Sequence, residues 1–167
     1  MIPQTPRPLF RTTIIKSVLI LGWMALIFSF SHQPPSISDA QSGGVTALFQ
    51  PLFPGVDSDA LTHSIRKIAH FTLYAVLGGL LVWTLFPFTR RAPLYATFIS
   101  PIYALSDEFH QSFIPGRSAE LTDVLIDTAG AATGALILLV LLQKHKKRAI
   151  LGGKEETIIK GIVRLYE

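Results

Sequence analysis

No cysteine occurs among the 167 residues, which excludes disulfides, Cys-based zinc sites and thiol nucleophiles. Charge is scarce as well. Asp, Glu, Lys and Arg make up 16% of the chain, against about a quarter in a soluble domain. With 49% hydrophobic residues and a mean hydropathy of +0.43, the chain has too little polar surface for an ordinary soluble globule. The same apolar content excludes disorder. Basic residues are missing from one stretch in particular: residues 32–64 contain no Lys or Arg, only Asp39, Asp57 and Asp59. The length fits one domain.

What is present is apolar runs. Four segments approach the roughly 20 residues needed to cross a hydrocarbon core: Thr13–Ser31, Ile65–Phe86, Pro93–His110 and Leu121–Leu142. Lys16 is close enough to the start of the first to snorkel. Pro101 should kink the third, and Asp107 and Glu108 shorten its uncharged stretch. Arg7, Arg11 and Lys16 flank the first segment, Arg90 and Arg91 separate the second from the third, and Lys144, Lys146, Lys147 and Arg148 follow the fourth. The positive-inside rule then puts both termini in the cytoplasm and leaves residues 32–64 and 111–120 outside. The expected fold is an all-α, multi-pass membrane bundle of about four transmembrane helices, formed by residues 1–148, with a cytoplasmic tail over 149–167.

The first segment has a second reading as a signal peptide cleaved after Ser31, which would leave three spans in the same orientation. Its apolar run is long for a signal sequence, so an uncleaved anchor is expected. Residues 33–62 read as an irregular outer loop, with a short interfacial helix near Val45–Phe53. Ile158, Ile159, Ile162, Val163 and Tyr166 recur at helical spacing in the tail, which suits an amphipathic helix on an anionic leaflet. The basic cluster 144–148 lacks the interleaved aromatics of a nucleic-acid groove. It reads as a topology anchor, and no nucleic-acid partner is expected.

Ionisable and other polar groups nonetheless lie at the ends of these spans. Arg66, Lys67 and His70 open the second, Asp107, Glu108, His110 and Gln111 close the third, and Asp123 and Asp127 open the fourth. The expected topology brings all three helix ends to the outer face, and costly intramembrane charges of this kind point to function. Lys67, His70 and Tyr74, at i, i+3 and i+7, share one helix face. Asp123 and Asp127 share another with Gly134 and with Gly130 or Ala131. The Gly130-x-x-x-Gly134 pair admits a neighbouring helix closely. Glu108 and Gln111 also face one way. Pro115-Gly116 predicts a tight turn, Ser118 a helix N-cap, and Arg117 a cation beside a helix N-terminus that favours anions. The bland alternative is an ion-pair network that only ties helix ends together. His32, His63 and His145 receive no role, His110 faces either the site or water, and Trp23 and Trp83 are assigned to packing or lipid.

These residues resemble the signatures of VanZ-like membrane proteins. Lys67-x-x-His70-Phe71-x-x-Tyr74-x-x-Leu77-Gly78 is similar to the first, Ser106-Asp107-Glu108-x-x-Gln111-x-Phe113-Ile114-Pro115-Gly116-Arg117 to the second, and Asp123-Val124-x-x-Asp127-x-x-Gly130-x-x-x-Gly134 to the third. Together they span residues 65–135. One departure is Asp127, where the family usually has Asn. The resemblance implies a multi-pass bacterial cell-membrane protein; the family's namesake is associated with resistance to the glycopeptide teicoplanin, and no biochemical activity comes with the name.

Three functions follow as expectations. In the first, Lys67 and Arg117 hold the phosphate of an anionic lipid or envelope-precursor headgroup. Tyr74, Gln111 and Asp127 line that site, and Glu108, Gln111 and Asp123 orient Arg117 and accept hydroxyl or amine hydrogens. In the second, Glu108 and His70 act on such a ligand as acid and base, with Asp123 orienting them. In the third, the cluster is structural and a loop or the tail contacts a partner. No metal or other cofactor is expected, because two adjacent cations and a single well-placed His disfavour a divalent ion. Membrane lipids are the expected surroundings.

Overall fold

The computed structural model describes residues 7–166, with side chains described over residues 10–148. Among these residues there are five α-helices and no strand: α1 (Arg7–Ser31), α2 (Pro35–Phe49), α3 (Ser58–Leu85), α4 (Ala92–Gln111) and α5 (Leu121–Tyr166), with a short 3₁₀ turn, Gln50–Leu52, after α2. Three stretches are long and apolar enough to cross a membrane by length and composition: Phe10–Ser31, Ser58–Leu85 and Leu121–Arg148. The fourth expected span, α4, is a helix of 20 residues outside that set. Its last turns carry Asp107 and Glu108, and its buried face is built from small residues (Ala92, Ala96, Ser100, Ala104) rather than large apolar ones.

Several boundaries correct the sequence reading. Residues 33–62 are more ordered than an irregular loop: the short helix expected near Val45–Phe53 overlaps the end of a longer helix, α2, and the 3₁₀ turn after it. Pro35 opens α2 with a backbone dihedral already set for a helix, and α2 docks on α3 through a Thr46–Thr62 hydroxyl hydrogen bond of 2.9 Å and an Arg66–Asp39 ion pair of 3.0 Å. Helix α3 starts at Ser58 rather than Ile65, because the Asp57 carboxylate accepts the Asp59 and Ala60 amides, each at 3.1 Å, and so satisfies two orphan donors of the first turn. Ser118 is not an N-cap, since α5 begins three residues later. The backbone of α5 then runs without a break to Tyr166, so the tail is a continuation of that helix. The side chains that would make it amphipathic lie outside the described residues.

The tightest packing joins α3 to α5, and glycine is the reason. A Cβ added at Gly130 would fall onto the carbonyl of Phe71, one at Gly134 onto that of Ala75, and one at Gly78 onto that of Ala131. Backbone therefore meets backbone along this seam, as small-residue stripes permit between membrane helices. The helices run parallel along it, with Lys67 beside Asp123 at one end and Gly78 beside Ala131 further on. Apolar side chains such as Phe98, Ile102, Leu125 and Leu136 point outward and are exposed, as a lipid-facing surface requires.

Helix α1 is fastened by polar contacts. The Trp23 indole donates to the Leu73 carbonyl at 2.8 Å, and the Tyr103 hydroxyl donates to the Met24 carbonyl at 2.6 Å. Lys16 reaches the end of α3. Its ammonium donates to the Trp83 carbonyl at 3.0 Å, one of the last α3 carbonyls and without a helical partner, and sits 4.3 Å from the Trp83 ring centre.

Candidate functional site

The C-terminal ends of α1 and α4, the early turns of α3 and α5, and the turn between α4 and α5 meet at one end of the bundle. That turn is closed by the Arg117 amide donating to the Ile114 carbonyl at 3.0 Å. Gly116 sits at φ +82°, the left-handed value that a type II turn requires at its third position. The turn thereby brings Arg117 back over the helix ends.

At the rim, Lys67 pairs with Asp123 at 2.5 Å and with Glu120 at 3.7 Å, all three partly exposed. One turn deeper, His70 Nδ1 lies 3.8 Å from a carboxylate oxygen of Asp127, too far for a hydrogen bond. Asp127 is fully buried. Glu108, also buried, accepts the Glu120 amide through Oε2 at 2.9 Å, which ties the end of α4 to the start of α5. Asp107 is buried and accepts the Ser31 hydroxyl at 2.6 Å, which ties α4 to α1.

Many polar atoms here have no partner. Buried atoms without a hydrogen bond include His70 Nδ1, Tyr74 Oη, Asp107 Oδ1, Glu108 Oε1, Gln111 Nε2, Arg117 Nε and both oxygens of Asp127. Burying one such group costs about 1–3 kcal/mol, so a cluster from three helices and a turn is an expensive arrangement for structure alone. Arg117 makes no ion pair among the described residues. Burial, assisted by the neighbouring Arg66 charge, pulls its guanidinium below the ordinary arginine value, yet an arginine in a protein keeps its charge.

Two cavities meet at this cluster. The smaller, about 100 Å³, is polar and bordered by His70, Gln111, Arg117, Glu120 and Asp123. The larger, about 410 Å³, is a cleft between α2 and α3 walled by Phe30, Val45, Ile65, Ala69 and Leu73. Arg66, His70 and Arg117 border both.

All eight residues singled out from the sequence, Lys67, His70, Tyr74, Glu108, Gln111, Arg117, Asp123 and Asp127, lie in or beside this cluster. Lys67 is committed to carboxylates, which leaves Arg117 as the cation with free donors. Sequence reasoning passed over the Ser31–Asp107 bond, the place of Arg66 on both cavities, and the neighbouring His32–His110 pair. The two rings share a hydrogen bond of 3.0 Å and stack with centroids 5.2 Å apart, so His110 faces His32. No local pattern announces a contact across 78 residues. Among the described residues no group of three or more metal-ligating side chains is arranged to hold an ion.

The fold and site define a helical bundle of membrane type, with a polar cluster built from helix ends and the α4–α5 turn at one end of the bundle. The VanZ/LLP1 family model matches residues 17–142, which takes in every helix that builds this cluster and most of the chain. The protein belongs to the VanZ/LLP1 family. Neither a curated protein nor a solved structure matches it.

Proposed function

We propose that this VanZ-family protein binds the anionic headgroup of a membrane lipid or lipid-linked envelope precursor at the cluster, on the extracytoplasmic face of the cell membrane. The observation that carries the reading is Arg117: a cation with a buried, unpartnered Nε at the junction of both cavities. Its planar fork suits a phosphate. The unpartnered oxygens of Glu108 and Asp127 would accept from hydroxyl or amine groups of the same headgroup, and Gln111 Nε2 would donate to it. In this reading α4 crosses the membrane as the fourth span, with both termini in the cytoplasm. Residues 32–64 hold no Lys or Arg, while Arg90, Arg91 and Lys144–Arg148 lie at the other end, which supports that orientation.

The test is native mass spectrometry of the protein in nanodiscs made from bacterial envelope lipids. Wild type should retain an anionic lipid, and Arg117→Lys should lose most of it, because a point charge does not replace a bidentate fork. Full retention by Arg117→Lys would remove the phosphate assignment.

A specific observation favours a second reading, in which the bound molecule is turned over. His70 turns Nδ1 toward the buried Asp127 while the residue borders both cavities, an arrangement that suits an oriented general base, and Glu108 keeps one oxygen free. A product formed by wild type and absent with Glu108→Gln would establish it. If neither a retained lipid nor a product is found, the cluster is helix-binding structure. Deletion of the gene with measurement of teicoplanin sensitivity and envelope integrity tests the proposed roles in glycopeptide resistance and envelope maintenance.

A further inference from the structure

We infer that the cleft between α2 and α3 holds an acyl chain of the same phosphate-bearing lipid, so that the ligand is an intact amphiphile rather than a soluble anion or a released headgroup. The inference rests on the headgroup reading above and adds where the rest of the molecule goes. The polar cavity, about 100 Å³, has room only for a small polar group. The cleft is about 410 Å³, and its floor is the apolar face of α3: Ile65, Ala69 and Leu73 follow one another at helical spacing. Phe30 and Val45 close its sides from α1 and α2.

The lining divides into a polar and an apolar part, as an amphiphile requires. The side shared with the polar cavity carries Arg66, His70 and Arg117; Arg66 is paired with Asp39, so Arg117 is the cation free for a phosphate, whereas Ile65, Ala69 and Leu73 make the rest of the α3 lining apolar. A free phosphate or glycerol phosphate would satisfy the first region and leave the second unfilled. Aliphatic carbon attached to the phosphate satisfies both, and the three shared residues mark where the two parts of the molecule join. The α2 wall also exposes hydroxyls and amides at Ser38, Gln41 and Ser42. These residues would meet the ester region near the headgroup.

The experiment uses two photoactivatable phosphatidic acids in phosphatidylcholine nanodiscs, one with a diazirine midway along an acyl chain and one with it beside the phosphate. Ala69 is exposed on the cleft floor, so Ala69→Trp fills the cleft without entering the core, and folding is checked by its elution profile. The chain probe should label α2 and α3 peptides carrying Val45, Ala69 and Leu73. Ala69→Trp should reduce that labelling severalfold and leave the headgroup probe's labelling of the Gly116–Arg117 turn unchanged. Glycerol 3-phosphate in excess should compete poorly against either probe. If the headgroup probe labels the turn while the chain probe labels only outward lipid-facing surfaces, the cleft assignment falls and headgroup binding stands. Effective competition by glycerol 3-phosphate would likewise show that the chain contributes nothing. Labelling of neither region above that of a phosphatidylcholine probe would overturn both readings.

Discussion

Three glycines on the α3–α5 seam make a quantitative prediction, because the same substitution should have opposite signs at different places. Replacing Gly with Ala in a helix gains about 1 kcal/mol of intrinsic propensity. At Gly22 on α1 nothing lies within 4 Å of the new methyl group, so the gain should appear nearly in full. At Gly79 the nearest atom is the Gly134 carbonyl oxygen at 3.7 Å, an ordinary contact, and the gain should again survive. At Gly134 the methyl would land on the Ala75 carbonyl, and forcing two backbones apart costs about 1–3 kcal/mol. The net effect there is a loss of about 1 kcal/mol, taking the middle of that range against the propensity gain.

For a chain of this size 1 kcal/mol corresponds to about 2–4 °C in melting temperature. Gly22→Ala should therefore melt above wild type by about that amount and Gly134→Ala below it by a similar amount. Gly78→Ala and Gly130→Ala should follow Gly134→Ala. Because Gly130 and Gly134 share one seam, their double variant should be less damaging than the sum of the singles. Detergent-solubilised variants heated in steps and passed over a size-exclusion column give the apparent melting points. Gly134→Ala melting at or above wild type would refute the close-approach argument, whatever Gly22→Ala does.

Other expectations concern the polar end. Ser31→Ala removes the hydroxyl donor to buried Asp107 and should cost about 1–3 kcal/mol, read by the same heating assay; an unchanged melting point would mean the carboxylate finds another donor. Lys67→Met breaks two partly exposed ion pairs, worth about 1 kcal/mol or less in total, so melting should scarcely move, and a large loss would show that the rim carries more of the fold than its exposure suggests. Asp127→Asn keeps the shape and removes a buried carboxylate that has no hydrogen-bond partner. It should melt at or above wild type while retaining less lipid, and a fall in melting point would mean that attraction to His70 outweighs the burial of the charge.

Much of this was legible in the sequence because it is periodic. The faces made by Lys67, His70 and Tyr74, and by Asp123, Asp127 and Gly134, follow from helical spacing alone, and α4 departs from its expected limits by one residue at each end. The Pro115-Gly116 turn was legible because φ > 0 at that position calls for glycine. What escaped notice depends on tertiary docking. Only the end of α2 falls within the helix expected near Val45–Phe53; its first turns read as Pro, Ser, Gly and Asp without an apolar stripe, and the helix starts at a proline and docks on Thr62 and Arg66 of α3. The first turns of α3 are too polar to be read as part of a span, yet Asp57 caps them. Asp107 was visible as a charge in the wrong place, but its partner Ser31 lies 76 residues away. The partner of Lys16, the Trp83 carbonyl, lies 67 residues away and could not be read from spacing.

The seam between α3 and α5 has a mechanical consequence. Where backbones touch directly there are no rotamers to change, so the two helices form a stiff chassis that carries Lys67, His70, Asp123 and Asp127 in fixed register. If the proposed lipid binds, motion that accompanies its entry and exit would then come from the parts mounted on that chassis: the end of α1, α2, and the turn that holds Arg117. A disulfide introduced between α3 and α5 would be silent in such a machine, whereas one joining α2 to α3 would jam it.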